Sequence, residues 1–415
     1  MAAAGQVLTR ARLPDGGDLV DIEIVAGRIA AINPSGAARD RSAATDLAGG
    51  LVWPGFVDLH THLDKGHIWP RAKNPDGSFS GALAAAGADR RDRWTAGDIA
   101  RRFEFGLRCA HAHGTVAIRT HLDSLPPQHR ITWPVFAGLR DAWAGRIALQ
   151  GVAILALAAL DDPATADDVA ACAGEHGGIM GAVIFPMDRL AARLDALLRL
   201  CMRHRLGLDV HIDETLDPAA RSLPILAAAA IRLGFPTPIV VGHCCSLSVQ
   251  DDAEIDRTLD LMQRAGMQVV SLPMCNMFLQ DRAPGRTPRR RGVTLLHEIA
   301  ARGIRIAVAS DNCRDPFYAY GDHDLMEVFR ETVRIAQLDR PFGTWHRSVT
   351  ATPADIMGIS AGRIAVGAAA DLVLFRARSI NELLSRPQSD RVVLRAGQAI
   401  STTPPDYAEL DDLYA

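Results

Sequence analysis

The sequence predicts an α/β protein: a (β/α)8 TIM barrel that carries a small β-sandwich domain built from both termini. Three observations point there. Eight short apolar runs alternate with helical stretches through the middle of the 415-residue chain, the pattern of a parallel sheet closed by its helices. The two ends have a different texture, with short alternating strands and frequent turns. Several central runs also finish on histidine or aspartate, residue types that a barrel can gather at the carboxyl-terminal mouth of its strands.

In order along the chain, residues 6–12, 20–25 and 27–32 read as short strands, punctuated by Pro14-Asp15-Gly16-Gly17 and Ala26-Gly27. Residues 362–375 and 390–400 repeat the strand–turn–strand pattern at the other end. One sandwich of residues 1–54 with 361–415, flanking a catalytic barrel of residues 55–360, accounts for both. Candidate barrel strands are 55–62, 115–123, 147–155, 181–187, 206–213, 238–244, 268–274 and 305–312. Helical stretches such as 96–113, 190–205, 221–233, 253–265 and 295–301 lie between them. An open doubly wound sheet is the alternative, but no Gly-rich phosphate loop opens a helix. The longest irregular stretch, 64–94, is rich in Gly, Pro and charge and follows the first candidate strand, so it reads as a mobile lid over the mouth.

Composition narrows the function classes. A formal net charge of −3 gives no reason to expect nucleic acid or an anionic membrane as a partner. No apolar run approaches the ~20 residues of a membrane helix, and Met1 to Gln6 lacks the basic and apolar regions of a signal peptide. The seven cysteines form no C-x-x-C pair and suit reduced thiols. The expectation is a cytoplasmic homo-oligomer acting on a small molecule.

The chemistry starts at Gly55-Phe56-Val57-Asp58-Leu59-His60-Thr61-His62. In a strand, residues i and i+2 face one side, so His60 and His62 present two imidazoles to one place. Neutral imidazole is the commonest ligand for zinc and suits iron. Such a pair alone is more often chance. Further strand ends change the weighing: 206–213 carries His211, with Asp213 and Glu214 after it, 238–244 carries His243, and 305–312 carries Asp311. Each singly would more often be a packed histidine or a capping aspartate. Together with His60 and His62 they point to a metal centre.

These residues resemble the amidohydrolase superfamily, in Pro54 to His62 followed by His211, His243 and Asp311 at the ends of the fifth, sixth and eighth strands. Over most of its length the chain is most similar to the cytosine deaminase branch. That similarity rests on Arg119-Thr120-His121-Leu122-Asp123, Asp209 to Glu214, Arg289 to Val293 and Ser310 to Pro316. Asp311-Asn312 followed by Arg314-Asp315 also resembles the N-isopropylammelide aminohydrolase branch. The resemblance implies one divalent metal ion per chain, zinc or iron, and hydrolytic deamination of a nitrogen heterocycle by attack of a metal-bound hydroxide. Such an enzyme is a hydrolase of non-peptide carbon–nitrogen bonds of the cyclic amidine type. The alternative is hydrolysis of cyclic amides or N-alkylamino heterocycles on the same scaffold; a non-catalytic barrel fits poorly with an intact ligand set. Binuclear members place a carbamylated lysine at the end of strand four, and residues 181–187 hold neither lysine nor glutamate.

The ligands so implied are His60, His62, His211 and Asp311. Glu214 is the expected proton shuttle between water, ring nitrogen and leaving amine, Asp311 an acceptor of the nucleophile's proton, and His243 the group that orients the water or polarises the attacked carbon, with direct ligation as its alternative. Asp64 and His121 are candidates for supporting the ligands. The family glutamine that reads cytosine is missing: Ala156 falls at its place, and Gln150 lies earlier, inside the barrel. An acid becomes Asn312 and a tryptophan Phe317. Ala156, Asn276, Asn312 and Phe317 are therefore the candidate substrate contacts, with Gln280 beside them. Losing a buried amide carries large discrimination, so cytosine is expected to be a poor substrate.

Overall fold

The computed structural model describes residues 5–37 and 44–415. The strands β1 (Gln6–Ala11), β2 (Val20–Val25), β3 (Arg28–Pro34) and β4 (Ala44–Asp46) form one sheet in the order β3-β2-β1-β4. After β5 (Val52–Pro54) the chain enters a parallel sheet of β6 (Phe56–Thr61), β7 (Thr115–Asp123), β8 (Ala148–Ile154), β9 (Ile179–Met180), β10 (Val183–Ile184), β11 (Leu208–Ile212), β12 (Ile239–His243), β13 (Gln268–Ser271) and β14 (Ile306–Val308). The short β9 and β10 share the fourth of eight positions, both pairing β11. A parallel bridge between Thr61 and Asp311 joins the eighth position to the first and closes the barrel. Finally β15 (Leu372–Leu374), β16 (Val392–Arg395) and β17 (Gln398–Ala399) join β5 in a second small sheet, ordered β17-β16-β15-β5.

Burial follows from these roles. Every residue of β6 and β7 is buried, as strands between a packed interior and a coat of helices require. The two small sheets share a separate core of Leu8, Ile22, Ile24 and Ile29 from one and Val52, Leu372, Leu374 and Leu394 from the other. Inside the barrel, Arg119 donates to Asp209 Oδ2 at 2.8 Å and to Gln150 Oε1 at 3.0 Å, and Gln150 donates to the Met357 carbonyl at 2.8 Å. Gln150 is thus committed to the interior. No described helix is long and apolar enough to cross a membrane.

The seam that closes the barrel is built from hydrogen bonds. The Asp311 N–H donates to the His60 carbonyl, and Thr61 Oγ1 donates to the Asp311 carbonyl, both at 2.8 Å. Beneath them the Ser310 N–H donates to Asp58 Oδ1 at 3.2 Å, and the Ser310 hydroxyl donates to Asp58 Oδ2. Burial pushes the Asp58 carboxyl up to about 6 in spite of these donors.

Two sequence expectations are corrected. Residues 79–93 are not irregular: Phe79–Arg93 is a helix, capped by Ser78 Oγ on the Gly81 N–H and ending in Arg90, Arg91 and Arg93, where cations complement the helix dipole. The preceding loop is tied to the eighth strand's loop, through the His67 N–H on the Cys313 carbonyl and the Trp69 N–H on the Arg314 carbonyl. The fourth strand is two fragments, not one run over 181–187; Pro186 has no N–H with which to prolong the ladder. The last residues also touch the barrel. The turn Tyr407–Leu413 runs along the helix Ala96–Ala112, where Arg101 pairs with Asp412 at 2.6 Å, Arg108 pairs with Glu409, and Leu410 packs on Phe105 and Cys109.

Replacing Asp58 with Ala leaves the Ser310 donors unpaired in a dry seam. The expected cost is ~1–3 kcal/mol, read as a lower urea midpoint with an unchanged slope; a wild-type midpoint would show that the seam does not rest on this carboxylate.

Candidate metal centre and active site

At the carboxyl-terminal mouth of the barrel, one donor atom each from His60, His62, His211 and Asp311 lies within 4.8 Å of all the others. Alternation along β6 and the residue after it delivers the two histidines, β11 delivers His211, and the closing seam delivers Asp311. His211 Nε2 stands 3.1 Å from His60 Nε2 and 3.2 Å from His62 Nε2. Asp311 Oδ1 stands 3.5 and 3.3 Å from the same two nitrogens. Donors sharing one ion at zinc–imidazole distances of ~2.0–2.1 Å lie ~3.3 Å apart in a tetrahedral set. The spacing therefore fits a single ion.

The chemistry of the donors fits as well. Burial first, with the crowding of the imidazoles on one another adding to it, holds His60, His62 and His211 well below their usual value, so all three are neutral. Burial pushes the Asp311 carboxyl up to about 7, against a weak pull from the Cys275 thiol, and among the described residues its oxygens have no nitrogen or oxygen hydrogen-bond donor. A cation at this point satisfies a group that the apolar surroundings otherwise penalise.

Glu214 sits beside the cluster. Burial first, then Asp311, raise its carboxyl well above the usual range, which favours its protonated form. The Asn276 amide donates to Glu214 Oε1 at 3.2 Å and to His243 Nδ1 at 2.9 Å, and Gln280 donates to the Glu214 carbonyl at 3.1 Å. Burial lowers His243 to about 3. With Nδ1 accepting, the proton of the neutral ring lies on Nε2, which has no partner among the described residues. Asp213, His243, Cys244 and Asp311 all hold a left-handed backbone, with φ of 50°, 69°, 49° and 61°. Such strain in non-glycine residues collects at functional strand ends.

The other candidates divide. The His121 ring packs 3.9 Å from that of His60, between centroids. Asp64 makes no hydrogen bond to a ligand imidazole among the described residues; its Oδ2 accepts the Asp123 N–H at 2.7 Å. Asn312 is engaged with Asp315 at 2.6 Å, and Phe317 packs against Phe79 with ring centroids 5.6 Å apart. Phe79 also meets Phe185 at 5.4 Å, which makes an aromatic group over the mouth. Ala156 is exposed and bridges Val183, which pairs with His211 in the next strand. Sequence reasoning left Lys65 to a surface lid, yet it is buried, 3.1 Å from Asp123 and 5.0 Å from the Phe317 ring centre. Burial opposes its charge, but Asp123, Asp64 and Asp315 outweigh burial and raise its pKa. The signal available was a lysine next to Asp64 in a chain with one other lysine.

Comparison with known proteins places this geometry in context. The chain matches the model of the amidohydrolase family over residues 43–142 and 137–401. It is 55% identical over 392 residues to a pterin deaminase of Rhizobium rhizogenes, across 94% of this chain and 90% of that protein. It is 25% identical over 390 residues to an N-isopropylammelide isopropyl amidohydrolase of a Pseudomonas species, across 90% and 91%. The crystal structure of 5-methylcytosine deaminase from Klebsiella pneumoniae, liganded with 5-fluorocytosine, superposes with a TM-score of 0.82 at 23% identity, covering 97% of this chain and 98% of that one.

Replacing His211 with Ala removes the donor that both other imidazoles approach. Elemental analysis of the purified variant is expected to show one divalent ion per chain fewer than wild type, and retention of that ion would exclude His211 as a ligand.

Proposed function

The chain belongs to the amidohydrolase family, and from that membership and the mouth of its barrel we propose that it is a metal-dependent hydrolase that deaminates a pterin. The broader class, hydrolysis of a carbon–nitrogen bond in a nitrogen heterocycle, is common to the relatives named above. The choice of ring is supported by the relative at 55% identity, a pterin deaminase. The observation that carries the mechanism is Glu214: a buried carboxyl with a raised hold on its proton, beside four converging donors.

His60, His62, His211 and Asp311 would hold the ion. A divalent ion so held supplies a water made acidic enough to attack at neutral pH, with a pKa near ~7. The chain's own groups do the rest. Asp311 takes up the proton that the nucleophile sheds. Glu214 gives its proton to the ring nitrogen beside the amino-bearing carbon, so that the carbon accepts the oxygen. The carboxylate so formed takes the proton still on the added oxygen and passes it to the amino group, which leaves as ammonia while the oxygen stays on the ring as a carbonyl; the proton held by Asp311 then restores Glu214. Ammonia leaves only when protonated, so one acid–base group at this point meets the requirement. Asn276 fixes Glu214 and His243 with one amide and turns the His243 Nε2–H toward use as a donor to the attacked centre. Phe79 and Phe317 offer flat apolar faces to a planar ring.

Around this reading we also assign residues 1–54 with 361–415 to a β-sandwich domain and residues 55–360 to a catalytic barrel, a division supported by the core that the two small sheets share. A cytoplasmic location is supported by seven free, buried cysteines. A homo-oligomer is to be tested by light scattering on the eluted protein.

Glu214→Gln is expected to keep its metal and lose turnover ~10²–10⁴-fold; a near-normal rate would remove Glu214 from the mechanism. For substrate, ammonia release from pterin, cytosine and an N-alkylamino triazine is compared. The kcat/KM for pterin is expected inside the ~10⁴–10⁸ M⁻¹s⁻¹ range of enzymes on their own substrates, with cytosine at least ~100-fold lower. Cytosine inside that range with pterin below it, or release of an alkylamine as the main product, would overturn the assignment.

A further inference from the structure

A second cluster of ligand-type side chains lies behind the first. One donor atom each from His67, Cys313 and His323 falls within 4.8 Å of the others. All three residues are at most 2% exposed. All four ring nitrogens of His67 and His323 lack a hydrogen-bond partner among the described residues. Leaving a buried polar group unsatisfied costs ~1–3 kcal/mol, so two such imidazoles side by side ask for an explanation that packing does not supply.

The surroundings hold the donors in place. His67 and His323 both take a left-handed backbone, with φ of 64° and 54°, which costs energy in a non-glycine residue. Space for the His323 ring depends on Gly106 in the helix Ala96–Ala112: a Cβ there would meet His323 Nε2 at 3.0 Å and Leu63 Cδ2 at 2.8 Å. The Phe105 ring packs edge-on against His67 with centroids 4.8 Å apart. Asp322 adds negative charge next to Cys313 and is itself held by His113 at 2.8 Å and the Tyr407 hydroxyl at 3.0 Å.

We propose that His67, Cys313 and His323 bind a divalent ion of the zinc class, distinct from the ion of the active site. Two neutral imidazoles and a sulfur select a borderline-soft metal over magnesium or calcium, which prefer oxygen. On binding, the Cys313 thiol gives up its proton to solvent and ligates as thiolate, and one position of a tetrahedron remains for a water. The ion acts on structure. His67 follows His62 by five residues, and Cys313 follows Asp311 by two. An ion here ties together the two loops that carry three of the four active-site donors, adding to the backbone bond from the His67 N–H to the Cys313 carbonyl at 3.0 Å. It is an ion beyond the single one the sequence implied.

The test uses the full-length protein, purified without chelator and loaded with zinc or with cobalt(II). Wild type is expected to bind two ions per chain, and Cys313→Ser and His323→Gln one each. The cobalt protein is expected to show a thiolate-to-cobalt charge-transfer band in the near ultraviolet. That band persists in His211→Ala, which lacks the active-site ion, and disappears in Cys313→Ser. If Cys313→Ser does not fold, the band in His211→Ala decides alone. One ion per chain in wild type, absent from His211→Ala, with no thiolate band in either protein, would overturn the proposal and leave the cluster holding water only.

Discussion

Everything at the mouth of this barrel depends on the register of one seam. The strand that starts the barrel and the loop that ends it meet through the Asp311 N–H on the His60 carbonyl and the Thr61 hydroxyl on the Asp311 carbonyl. Side chains alternate along an extended chain, so a slip of one residue would turn Asp311 away from the imidazoles it faces. Asp58 guards against that slip. Its two oxygens hold Ser310 from below, and they do so as a buried carboxyl whose charge the surroundings resist. The seam therefore fixes closure of the sheet and composition of the site with the same few bonds.

Above the seam, the mouth concentrates groups that a stable core would avoid. Neutral histidines, a carboxyl short of hydrogen-bond donors among the described residues and a glutamate whose pKa burial raises are gathered there. Left-handed backbone at Asp213, His243, Cys244 and Asp311 aims several of them. The rest of the fold carries the cost, through long buried strands, a closed polar network at Arg119, Asp209 and Gln150, and a helical coat. Asn276 shows how economical the arrangement is: one buried amide sets the position of both the proton carrier and its neighbouring histidine.

What the sequence made legible was whatever obeyed a period. Two histidines two apart on an apolar strand, and three further strands ending in His or Asp, needed only alternation and the geometry of a parallel barrel. Glu214 followed from its place after His211. The helix Phe79–Arg93 was masked because Gly, Asp and Arg obscure its alanine face. Asn276 read as a candidate substrate contact, and its bonds to Glu214 and His243 were out of sight because those partners come from other strands. His67, Cys313 and His323 were illegible for a stronger reason. They belong to loops distant in sequence, share no spacing, and meet only because the barrel closes.

The pairing of β5 with β15 sets a timetable for biosynthesis. A ribosome makes Val52–Pro54 before any of the barrel, and the strand that covers it, Leu372–Leu374, emerges only after all of it. Through that interval the first small sheet has half a core, with Leu8, Ile22 and Ile29 awaiting Leu372 and Leu394. The turn Tyr407–Leu413, which grips the helix Ala96–Ala112, comes later still. Domains that fold as contiguous units can finish one after another on the ribosome. Here the earliest segment is among the last to be completed, so a nascent chain stalled before residue 372 exposes apolar strand faces that a cell's chaperones are equipped to hold.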